Sequence, residues 1–235
     1  RAQKYHSQLI EKIHQGLNIS SASMIFLGSI FISLATPIVV IVYGRGSFNQ
    51  NAISLVSQLL VAYSIGMPFY LARDLLVRVF YGIEDAETPF RISTVAIFLN
   101  LLFDWILIGG PSPWGLISPL NLGVIGIVFS TTFVNLIACI CLLWKLHIKL
   151  ESINPTKIII QSFKILALGF ISGLCSFFIF RIIDLPPHFI GIVFKVLFSS
   201  FISFILFCFI ANLIDIKEIN YFTKFLQQKF HSSLR

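Results

Sequence analysis

The sequence predicts an all-α integral membrane protein with six transmembrane helices, and three observations carry that expectation. Hydrophobic residues fill 57% of the 235 positions, charged residues only 11%, and the mean hydropathy is +0.90. So few charges cannot cover the surface of a water-soluble domain of this length. Apolar runs recur at lengths that cross a hydrocarbon core of about 30 Å, and they are continuous rather than alternating with period two, which excludes a β-barrel. The basic residues stand in short clusters at the ends of those runs, as membrane orientation requires. The formal net charge of +7 therefore does not point to nucleic acid.

Residues 1–20 space Leu9, Ile10, Ile13 and Leu17 as an apolar stripe among polar residues, predicting an amphipathic lead-in helix on the membrane surface. The chain starts at Arg1 without an initiator Met and reads as the C-terminal part of a longer protein. A first span is expected over 21–43, kinked at Pro37, and a second over 52–81, kinked near Gly66 and Pro68. A third runs over 89–108 and is followed by an uncharged Pro/Gly-rich loop with Trp114 as an interfacial anchor. Further spans are expected over 124–146, 162–183 and 189–214, and residues 215–235 read as a basic amphipathic helix on an anionic surface. In domain terms, four spans over 21–146 form one unit and the pair over 147–214 a second. Lys and Arg concentrate at the two termini and in the second and fourth connections, which places both termini in the cytoplasm.

Charges inside apolar helices are costly and mark paired structure or function. Arg73, Asp74 and Arg78 enter the second span before it ends; Asp74 and Arg78 stand four apart with the acid first, the favourable order for a helical ion pair. Arg78 can snorkel to the cytoplasmic interface, whereas Arg73, about 12 Å from the helix end, reaches less easily and faces either a pair or a wet cavity holding an anionic substrate. On the third span Ser93, Asn100 and Asp104 share a face, with Asp104 about 20 Å from the cytoplasmic start. Asp104 is expected either to pair with Lys195 or Arg181 at similar depth or to serve, with Lys195, in ion coupling or gating. The histidines are terminal or interfacial, and the four cysteines lie in apolar runs as small hydrophobes. No nucleotide-binding loop, nucleophile elbow or metal motif occurs, so no enzyme, cofactor or metal site is expected.

The stretch from Tyr43 to Asn100 carries a set of motifs: Tyr43-Gly44-Arg45-Gly46-Ser47-Phe48, then Leu60 with Tyr63 and Gly66, then Phe80-Tyr81 with Asp85, Thr88 and Pro89, then Asn100. Gly123 and Gly126 lead into a span with Asn135. In these residues the chain resembles the MurJ/MviN family of lipid II flippases, which share a MATE-like two-lobe fold. The Asp-x-x-Thr-Pro turn is the most specific element; Asp can cap the following turn and Pro fixes the first helical position. The resemblance implies that Gly46, Phe80, Tyr81, Asp85, Thr88 and Pro89 are structural, and that the six spans are the family's last six. It implies that the final pair extends a groove for a lipid tail. The implied function is moving undecaprenyl-linked peptidoglycan precursor across a bacterial inner membrane by alternating access. The implied partners are that lipid substrate, membrane lipids and an N-terminal lobe of the same chain. Substrate contact then falls to Arg73, Arg78 and Asn100. Two rival readings are a MATE-like exporter of drugs or polysaccharide units, and a non-transporting membrane scaffold acting through its tail.

Overall fold

A computed structural model describes residues 2–46, 48–109, 120–150, 155–186 and 188–214. These form seven helices: α1 (Ala2–Ser33), α2 (Ala35–Tyr43), α3 (Gln50–Gly82), α4 (Glu87–Ile108), α5 (Val124–Leu150), α6 (Pro155–Ile182) and α7 (Phe189–Leu213). Six segments are long and apolar enough to cross a membrane: Ile10–Ser33, Gln50–Gly82, Glu87–Ile108, Val124–Leu150, Ile158–Ile182 and Phe189–Leu213. The expected Trp114 anchor and the tail over 215–235 lie outside the described residues.

The first span departs from expectation. Residues 2–33 are one unbroken helix, so the lead-in and the span are a single element, and the break falls at Leu34 (φ −117°, ψ 24°) rather than within a 21–43 helix. Proline explains the position: Pro37 has no N–H for the Ser33 carbonyl, and its ring crowds that carbonyl, so the helix stops one turn upstream and restarts as α2. The lead-in stripe is not spread on the membrane surface either. Ile13 and Leu17 are buried against Leu76 and Phe80 of α3, Leu142 and Leu146 of α5, and Ile158 of α6. A second core joins Ala22 of α1, Ile165 and Leu168 of α6, and Phe207 and Ala211 of α7.

Helix α3 is the spine. It packs on α1 and α5, α5 carries α4, and α6 packs on α1 and α7. The spine continues through Pro68, whose missing N–H leaves the Ser64 carbonyl without its i+4 donor. Gly28 of α1 sits against that freed carbonyl, so close that a Cβ would lie 2.9 Å from it. Two residues on, a Cβ at Gly66 would lie 2.5 Å from the Thr132 hydroxyl of α5. Small residues bring the backbones together, as membrane helices without a water-driven hydrophobic term require. Gly66→Ala is therefore expected to cost about 1–3 kcal/mol by overpacking, read as a lower melting temperature in detergent. Thr132→Ala, which deletes the opposing hydroxyl, should recover most of that loss; no recovery would place the strain elsewhere.

Candidate functional site

The turn between α3 and α4 positions the site. Phe80 is wholly buried in the core, while Tyr81 beside it is exposed. Asp85 accepts hydrogen bonds from the Thr88 N–H (3.0 Å) and the Thr88 hydroxyl (2.7 Å), and Pro89 is buried in the first turn of α4. Helix α4 begins at Glu87, so Pro89 is its third residue rather than its first, still where an N–H has no helical partner. The Lys149 ammonium, at 2.7 Å, ties the same carboxylate to the end of α5. That contact first, and the Thr88 bonds second, hold the Asp85 carboxyl well below its ordinary value of 3.8. A depressed folded pKa gives stability that is present above 3.8 and fades as pH falls below it. Asp85→Asn should thus lower the melting temperature by a constant amount from pH 8 to 5, the gap closing only under stronger acid; a gap that closed nearer neutrality would contradict the assignment. In the 44–49 connection Gly46 has φ +63°, a left-handed conformation that disfavours side chains, and the Tyr43 and Phe48 rings stack at 5.7 Å beside it.

Arg78 pairs with Asp74 at 2.9 Å, exposed at the helix end, as the spacing predicts. Among the described residues this leaves Arg73 without a carboxylate. Its guanidinium instead donates to Oδ1 of Asn135 on α5 (3.0 Å) and to Oγ of Ser93 on α4 (3.2 Å). Asn135 is itself fixed, its Nδ2 donating to the Thr131 carbonyl at 2.9 Å. One charged group so links α3, α4 and α5. About two turns along α4 from Ser93, Asn100 receives the Ser130 hydroxyl at Oδ1 (3.1 Å). Asp104 follows, and its buried Oδ1 has no hydrogen-bond partner among the described residues. Arg73, Ser93, Asn100, Asp104, Thr131 and Asn135 line a common pocket of about 530 Å³, with Tyr70 at its edge.

The pairing expected for Asp104 is not formed. Helix α4 contacts α3 and α5 but neither α6 nor α7 among the described residues. Lys195 lies on α7 with its ammonium 4.5 Å from the centre of the Phe180 ring, and Arg181 lies 4.5 Å from that of Phe177. Equal depth along two helices does not make them neighbours, and the order of helices around the bundle was not in the apolar pattern. The same limit hid Asn135 and Ser130 as partners of Arg73 and Asn100. Their signal was a polar residue at helical spacing on the face of α5 that meets α4. Among the described residues no three His, Cys, Asp or Glu side chains gather into a metal site.

The fold and pocket define a multi-pass helical membrane protein with polar groups clustered between its helices. Comparison with known proteins places it. The family model described as "Lipid II flippase MurJ" matches residues 1–199, and the chain belongs to that family. A probable lipid II flippase MurJ from a Synechocystis species is 39% identical over 143 residues, covering 61% of this chain and 25% of the relative. The lipid II flippase MurJ of Thermosipho africanus is 30% identical over 119 residues, covering 51% and 22% respectively. The chain thus spans a quarter or less of these relatives' length. A solved structure, of a lipid II flippase MurJ in an inward closed conformation, superposes with a TM-score of 0.62 at 21% identity. It covers 91% of this chain and 41% of that one, and it shows that the fold is shared. Family and apolar helices together make this a multi-pass bacterial membrane protein.

Proposed function

We propose that the chain is the C-terminal part of a lipid II flippase, moving an undecaprenyl-pyrophosphate-linked peptidoglycan precursor across the inner membrane by alternating access. Family membership supports the substrate class, and one observation supports the site: Arg73 lies in a helix long and apolar enough to cross a membrane and has no carboxylate partner among the described residues, its guanidinium fixed by neutral groups at the wall of a pocket. A fixed, unneutralised guanidinium is a ready partner for a phosphate group, which offers stronger charge-assisted bonds than an amide or a hydroxyl. Asn100 supplies a neutral hydrogen-bonding wall. Asp104, with its buried unpartnered oxygen, is the group that a coupling cation or proton would neutralise. Arg78 stands at the rim, held by Asp74.

In this reading residues 21–146 belong to a transporter lobe completed by an N-terminal lobe of the same chain. Helices α6 and α7 extend the path for the lipid tail, and both termini face the cytoplasm. Lys195, remote from the pocket, takes no part in coupling. The reading is tested in cells depleted of their own flippase and supplied with the full-length gene: restored growth, with precursor reaching the outer leaflet, is expected. Continued accumulation of precursor inside, at normal levels of inserted protein, would overturn it.

A further inference from the structure

Arg45, Arg181 and Lys195 stand on the side of the bundle that carries the 44–49 and 183–188 connections, and transport as described uses none of them. Among the described residues no carboxylate meets any of the three; the ion pairs all lie elsewhere, and Asp184, in the same connection, joins none. Each cation rests on a phenylalanine ring instead: Arg45 on Phe189 (5.1 Å), Arg181 on Phe177 and Lys195 on Phe180 (both 4.5 Å). A ring face attracts a cation but accepts few of its N–H bonds. Lys195 is the seventh residue of α7, about 9 Å along the axis from its start, too deep for a bare ammonium to be at ease in hydrocarbon.

Phe177, Phe180 and Arg181 share one face of α6 and line a cleft of about 750 Å³ whose other walls are Ile32 of α1, Pro37 of α2, Ser54, Gln58 and Val61 of α3, and Ile125 and Phe129 of α5. A largely apolar cleft, with a few hydroxyls and one amide in its walls, a guanidinium in its lining and an ammonium on the ring of Phe180, matches an amphiphile with an anionic head.

We propose that Arg181 and Lys195 bind the phosphate of an anionic glycerophospholipid in the leaflet on that side, with one acyl chain lying in the cleft that α3, α5 and α6 line. Arg181 offers a planar fork to the phosphate oxygens. Lys195 snorkels along α7 to the same level, and Phe177 and Phe180 hold both cations by their rings. The site is separate from the Arg73 pocket, shares no residue with it, and stands whether or not the transported substrate is lipid II.

The test is native mass spectrometry of the full-length protein released from bilayers containing phosphatidylglycerol and phosphatidylcholine with matched chains. Retention of phosphatidylglycerol about tenfold above phosphatidylcholine is expected, given the attraction of two cations near a bilayer surface. Arg181→Gln with Lys195→Gln should bring the two lipids to parity, while Arg181→Lys with Lys195→Arg should keep the preference and show that folding is intact. Arg91→Gln, on the opposite side, should change nothing. Ile125→Trp, which fills the cleft and spares both cations, should lower retention of both lipids. Equal retention by the unaltered protein, or a preference that survives the Gln pair, would overturn the proposal. So would displacement of phosphatidylglycerol by equimolar polyprenyl phosphate, since the cleft would then belong to a prenyl lipid.

Discussion

Replacing Arg73 with Ala is expected to lower precursor translocation about a hundredfold while leaving the inserted protein within about twofold of normal. The guanidinium makes two charge-assisted hydrogen bonds, to Asn135 and Ser93. Bonds to charged groups contribute about 1.5–3 kcal/mol each, and a phosphate held by the same guanidinium loses a comparable amount, about tenfold to a hundredfold in an equilibrium. Stability suffers less, because Asn135 keeps its bond to the Thr131 carbonyl and α4 still packs along α5. Arg73→Lys should recover only part of the activity: an ammonium supplies charge but cannot span Asn135 and Ser93 as a planar fork does. Full recovery by Lys would mean that charge alone matters at this position.

Asp104→Asn is the second change with a large expected effect, and its signature is a split between activity and stability. The substitution keeps the side chain's shape and removes a charge from a position where its buried oxygen has no partner. Stability should hold or rise, since a buried carboxylate oxygen without a partner is costly. Transport should fall about tenfold or more, and whatever dependence it has on a monovalent cation or on pH should flatten. Loss of folded protein together with activity would make Asp104 structural. Unchanged transport with unchanged ion dependence would remove it from the coupling.

What could be read from the sequence followed from one-dimensional physics. The ends of α3, α5 and α7 fall within a few residues of the expected spans because an apolar run ends where lipid ends. The Asp85 cap and the Asp74–Arg78 pair were legible because both are local, three and four residues apart. The failures were non-local or concerned which of two competing rules wins. The lead-in stripe of Ile13 and Leu17 has the pattern of a surface helix, and nothing in that pattern distinguishes a lipid surface from the flank of α3. Pro37 was visible, but the local pattern does not say whether a proline is accommodated or ends the helix: α3 runs on through Pro68, whereas α1 stops before Pro37. Arg73 stood out as a charge in an apolar helix; that Asn135, 62 positions away, would orient it is a fact of helix order around the bundle. The misplaced Asp104–Lys195 pairing came from the same source, since depth is encoded in the chain and azimuth is not.

In the proposed function, a guanidinium fixed in the Arg73 pocket receives the phosphates of a lipid-linked substrate. The most direct measurement is translocation of fluorescent lipid II by the full-length protein in sealed proteoliposomes, with the Arg73→Ala and Arg91→Gln proteins reconstituted in parallel. The account predicts rapid appearance of the label in the opposite leaflet for the unaltered and Arg91→Gln proteins and a rate near the empty-vesicle background for Arg73→Ala. Translocation by Arg73→Ala at the unaltered rate would contradict it.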